Sequence, residues 1–250
     1  MTMSTAHGTE DEPIGVLNRS RARFLALLAG AVALGALAFA ADYVTGIAGG
    51  VMAGLVSSGA AWGAPAAIIG FVSARRRDAM ARPAVVLVVA TTVYYLGILL
   101  ISRRWDIPGS SLSTGESTAQ IGLASVGRLW LIWIVVALVI GASLGLLGHA
   151  IHRAGPRVSG TAAGAATGLL LGEGLSFAIW SLPAFWDLSQ PGNSRPASLL
   201  VAMAVAVVVP VVLAAIRRKP VAWWLYAITA ICVALAAAGA WHLGEALRNG

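Results

Sequence analysis

Residues 159–180 read SGTAAGAATGLLLGEGLSFAIW, an apolar stretch of membrane length that holds a single carboxylate, Glu173. A charged side chain near the middle of a spanning helix costs about 2.5–3.5 kcal/mol on insertion scales. Keeping a glutamate protonated at pH 7 instead costs about 3.7 kcal/mol. Because neither state is cheap, Glu173 is expected to face a partner or a wet cavity and not lipid. Gly160, Gly164, Gly168 and Gly172 recur every four residues in the same stretch. They line up a groove that another helix can approach closely.

The rest of the 250-residue chain has the same character. Hydrophobic residues make up 58% of it and charged residues only 11%, with a mean hydropathy of +0.83. A soluble domain carries roughly 25% charged residues, so this is the composition of an integral membrane protein. The net charge of +7 sits in short clusters at the ends of apolar runs. That is the positive-inside pattern and not a nucleic-acid stripe. Cys232 is the one cysteine, which excludes a disulfide framework within the chain. Sixteen of the seventeen basic residues are arginine, a bias that reads as codon usage in a GC-rich genome.

The spacing predicts an all-α bundle of seven spans. Residues 1–20 read as a polar, disordered cytoplasmic tail and 21–250 as one transmembrane domain. The first apolar run, Phe24 to Ala41, also has the form of a signal peptide, with Ala38-Phe39-Ala40 as a cleavage site. The hydrophobic runs behind it favour a retained span. Thr45 to Ala74 exceeds one span. It reads as an outer turn or re-entrant piece near Thr45–Val56, then a spanning helix from Ser57 to Ala74 bent at Pro65. The later spans are Pro83 to Ser102, Leu129 to His149, the opening stretch, Ala197 to Ile216 and Val221 to Trp241. A loop with a polar tip around Glu116 joins the third span to the fourth, and Pro183 to Pro196 joins the fifth to the sixth. Gly141 and Gly145 give span four a small-residue face.

With the amino terminus inside, inner segments hold twelve Lys and Arg and outer ones five. This orients the chain with its amino terminus in the cytoplasm and its carboxy terminus outside. Depth then locates a candidate site. At 1.5 Å per residue, Glu173 lies about 20 Å in from the cytoplasmic end, Tyr94 and Tyr95 about 17–18 Å, and Ser58 and Trp62 about 18–24 Å. These residues are expected to form one polar layer in which a tyrosine or serine hydroxyl bonds Glu173. Helix glue is an equally weighted role for Glu173, and packing a commoner one for the tyrosines. His149 and His152 share a helical face but lack a third ligand, so no metal site is expected.

No nucleophile, metal or phosphate-loop motif is present, and one intramembrane acid is too little for a hydrolytic site. No enzyme activity and no cofactor are expected. Two functions fit: a small transporter or permease-like protein binding a proton or cation at Glu173, or an accessory subunit whose Gly ridges contact a membrane-protein partner or a second copy of the chain.

SSGAAW at Ser57–Trp62, the Tyr94-Tyr95 pair, GASLGLLGH at Gly141–His149 and LLLGEGL at Leu169–Leu175 together resemble an uncharacterised family of multi-pass membrane proteins from GC-rich Gram-positive bacteria. The resemblance runs from about Arg21 to Lys219. It implies a fold and a plasma-membrane location, and no activity. The chain departs from it between Thr45 and Val56, where Gly repeats stand in place of a Pro- and Trp-containing outer turn.

Overall fold

A computed structural model describes residues 13–102, 118–180 and 195–249. Eight α-helices form among them: α1 Pro13–Ala41, α2 Gly46–Val56, α3 Gly59–Val72, α4 Arg76–Gly97, α5 Thr118–Arg153, α6 Pro156–Trp180, α7 Arg195–Ile216 and α8 Trp223–Asn249. A π-helical turn, Ile98–Ser102, extends α4. Together they make seven units long and apolar enough to cross a membrane, with α2 and α3 sharing the second.

The packing is that of a protein whose solvent is lipid. The buried positions are dominated by alanine and glycine, with Ala66, Ala67, Ala163 and Ala166 fully enclosed. Large apolar side chains such as Leu100, Ile101, Val135 and Ile231 point outward. Hydrocarbon gives Leu no reason to hide, so close approach of small residues decides which faces meet. Helix α3 is central and packs on α4, α5, α6 and α7, while α6 pairs most extensively with α8.

Several expected boundaries move. Helix α1 begins at Pro13, so residues 13–20 of the expected tail are helical. Proline suits the first helical position, where its missing N–H would have no partner. Residues 1–12 lie outside the described residues, as do the Glu116 tip and Phe185 and Trp186 of the loop after span five. Span three starts at Arg76, with Pro83 buried inside α4. There Asp78 and Arg82 form an exposed i,i+4 ion pair at 3.2 Å. The proline leaves the Ala79 carbonyl without its intrahelical donor, and Gly145 of α5 presses against that oxygen with no room for a Cβ. Gly141 likewise backs on Ala84, where a Cβ would stand 2.9 Å from its Cα. Helix α5 begins at Thr118 and α8 runs to Asn249, with candidate spans at Gly122–Arg153 and Trp223–Ala246.

Thr45–Val56, expected as an outer turn or re-entrant piece, is helical from Gly46. Eleven residues of α2 are about 16 Å long, yet the Ser57 hydroxyl donates to the Ala38 carbonyl at 3.3 Å, three residues from the end of α1. Helix α2 thus comes back to the level of the last turn of α1 where it meets α3.

Candidate functional site

The second span breaks at Ser57 and Ser58. Ser58 takes up an extended conformation, φ −78° and ψ 154°, as the N-cap of α3. A break at this depth exposes the last carbonyls of α2 and the first N–H groups of α3 where little water is available to bond them. The chain supplies the partners itself. The Ser58 hydroxyl donates to the Gly54 carbonyl at 2.8 Å and accepts the Ala61 N–H at 3.1 Å, so one side chain serves both half-helices. The Trp62 indole donates to the Val56 carbonyl at 2.7 Å. The Gly59 N–H donates to Glu173 Oε2 at 2.6 Å.

Glu173 thus stands at the amino end of α3, where the helix dipole favours negative charge. A Cβ on residue 59 would lie 2.6 Å from the carboxylate oxygen, so a larger residue there makes the Glu173 side chain shift. Beside this contact opens a cavity of about 510 Å³, with Gly50, Ser57, Ser58, Glu173, Phe177 and Arg195 on its wall. The carboxylate faces that cavity and a backbone donor, as the cost of exposing it to hydrocarbon requires.

The expected polar layer is only partly assembled. Ser58 and Glu173 share the cavity; Trp62, Tyr94 and Tyr95 do not line it. The Tyr94 hydroxyl donates to Asp42 Oδ2 at 3.0 Å, just beyond α1. Its ring meets Trp62 edge-on at 6.4 Å and Tyr95 at 5.5 Å. The aromatic residues are a packing cluster between α3, α4 and the end of α1. Equal depth placed them in one layer, but depth does not say which side of α3 a residue occupies. The hydroxyl expected on Glu173 is replaced by the Gly59 amide, since the Ser58 hydroxyl already bonds within the break.

Sequence reasoning also missed three residues. Ser57-Ser58-Gly59 within an apolar run is a helix-break signal, with serine as cap, and it points to Gly59. Arg195 joins the cavity because α7 begins two residues before the expected start. Glu245 enters because α8 outlasts the expected end at Trp241; it lies within electrostatic range of Glu173, so the acid inventory of the spans is not a single residue.

At the opposite end, His149 Nδ1 lies 3.1 Å from the Ser73 carbonyl and His152 meets Phe71 edge-on at 4.7 Å. Among the described residues no three His, Cys, Asp or Glu are grouped to hold a metal ion.

Residues 116–246, just over half of the chain, match the model of a family of unknown function, DUF6518. The chain belongs to the DUF6518 family. No curated protein and no solved structure matches it. The DUF6518 match takes in α5 to α8, and with them Glu173 and the Gly160 to Gly172 ridge, while the broken second span lies outside it.

Within the DUF6518 stretch the ridge is occupied. Gly160 backs on Ala222, Gly164 on Tyr226 and Ala230, Gly168 on Ala230, Val233 and Ala234, and Gly172 on Ala237. A Cβ on Gly168 would stand 2.7 Å from the Ala234 nitrogen, and one on Gly172 2.5 Å from the Ala237 Cβ. Glycine every fourth residue on α6 lets its backbone approach that of the chain from Ala222 into α8. Gly54 of α2 is covered in the same way by Ser198 and Val201 of α7. The α6 ridge and Gly54 are thus covered within this chain, by α8 with the residue before it and by α7.

Proposed function

We propose that this DUF6518 protein is a small transporter or permease-like protein of the bacterial plasma membrane, in a GC-rich Gram-positive host, with its amino terminus in the cytoplasm. The supporting observation is the Glu173 carboxylate, on the wall of the 510 Å³ cavity and bonded to the first amide of a broken span. Discontinuous helices place dipole ends and unpaired backbone groups at membrane depth, an arrangement that transporters use to bind ions and substrates. In this reading a proton or small cation entering the cavity competes with the Gly59 N–H for the carboxylate. Occupancy then loosens the tie between α6 and α3, and the half-helix is free to shift. The twelve-to-five asymmetry of basic residues supports the orientation. No enzymatic activity is proposed.

The test uses the full chain in proteoliposomes, with transient currents recorded after jumps in proton, sodium, potassium or methylammonium concentration. A current for at least one of these in the wild type, lost in Glu173→Gln at unchanged protein content, is expected. Silence of the wild type to all four, or equal currents in the variant, overturns the reading.

A further inference from the structure

Helices α3, α5 and α7 end on one face of the bundle, and their ends surround a second cavity of about 360 Å³ lined by Phe71, His152, Arg153, Arg217, Arg218 and Lys219. Arg217, the first residue beyond α7, is only 7% exposed. Its two terminal nitrogens donate to the Ile151 and Ala154 carbonyls, both at 2.8 Å. It thereby caps the carboxy end of α5, where orphan carbonyls and the helix dipole call for a cation.

Among the described residues Arg217 Nε and His152 Nδ1 find no hydrogen-bond partner, and both atoms are closed off behind the cavity wall. Four cations, Arg153, Arg217, Arg218 and Lys219, line this one cavity, and their combined charge calls for an anion. Arg153, Arg218 and Lys219 are exposed. None of these four cations is ion-paired to a described carboxylate; the pair found is Asp78–Arg82.

We propose that this cavity binds a phosphate group, held by the exposed Arg153, Arg218 and Lys219, with the buried Arg217 charge behind them. A phosphate offers several acceptor oxygens in different directions, which matches donors converging from separate helix ends better than the two oxygens of a carboxylate. Guanidinium and ammonium groups at a membrane edge recognise such an anion whether it is a lipid headgroup or a soluble phosphate. Ile216, on the same wall and strongly exposed, would lie beside the glycerol and acyl chains of a lipid.

The experiment is native mass spectrometry of the full chain in detergent with phosphatidylglycerol or phosphatidylcholine, together with thermal shifts in inorganic phosphate. Preferential retention of phosphatidylglycerol, or a rise in melting temperature with millimolar phosphate in lipid-free detergent, is expected; the first assigns a lipid and the second a soluble anion. Arg218→Ala with Lys219→Ala should weaken the effect about thirtyfold, as removing two near-surface cations would. Arg76→Ala with Arg77→Ala, basic residues that do not line the cavity, should leave it intact. Lys219→Ala alone replaces the pair if the double variant melts lower without ligand. Equal retention of both lipids with no response to phosphate, or equal losses in the two double variants, overturns the proposal.

Discussion

Glu173 and Gly59, 114 residues apart, are joined by a 2.6 Å hydrogen bond from the Gly59 amide to the Glu173 carboxylate. The bond ties the middle of α6 to the first turn of α3. It also explains two residue types together: an acid inside an apolar helix, and a glycine where α3 begins. Each is unfavourable alone, the first for its charge and the second for its backbone entropy. Each is accounted for by the other.

Gly59→Ala and Glu173→Ala should therefore act as one lesion. Each removes the same bond, the first by placing a methyl group on the carboxylate oxygen and the second by removing the acceptor. Each should cost about 1–3 kcal/mol, and the double variant little more than either, a coupling of about 1 kcal/mol or larger. Thermal unfolding in detergent, followed by tryptophan fluorescence, measures it. Strictly additive losses would show the contact to be incidental.

The break should depend on Ser58 far more than on Ser57. Ser58→Ala deletes a cap and leaves the Gly54 carbonyl and the Ala61 amide unserved, at about 1–2 kcal/mol. Ser57 donates once, at 3.3 Å, from an exposed position, and Ser57→Ala should cost under about 0.5 kcal/mol. Ser58→Thr keeps the hydroxyl and most of the stability. The same melting assay ranks the three variants, and a larger loss at Ser57 than at Ser58 would contradict the capping geometry.

The sequence makes the bundle and the depth of its polar groups legible, because hydropathy and basic clusters report directly on the bilayer. Glu173 and Ser58 are placed together by the residue count from the span ends alone, and both line one cavity. Tyr94 shows where that reasoning stops. Its partner is Asp42, a residue in a turn whose position depends on how α1 meets α4, and no periodicity encodes that. The helical form of α2 is hidden for a related reason: Gly46, Gly50 and Gly54 suit a turn as well as a helix. In the sequence nothing separates Arg217 from Arg218 and Lys219 beside it. Only the approach of α5 shows that it alone turns inward.

The α6 ridge gives the clearest quantitative expectation. Gly168→Ala places a methyl group 2.7 Å from the Ala234 nitrogen and the Val233 Cβ, and backbone atoms cannot step aside as a long side chain can, so a loss of about 1–3 kcal/mol follows. Gly168→Leu and Gly164→Leu should exceed that and separate α6 from α8. Gly30→Ala and Gly239→Ala, with nothing within 4 Å of the added atom, should be neutral or stabilise by up to about 1 kcal/mol through helix propensity. Chemical denaturation of the purified chain distinguishes the two sets. If Gly168→Leu instead melts like the wild type and loses a co-purifying protein, the ridge must open to another chain in the membrane, and the α6–α8 pairing described above would be wrong.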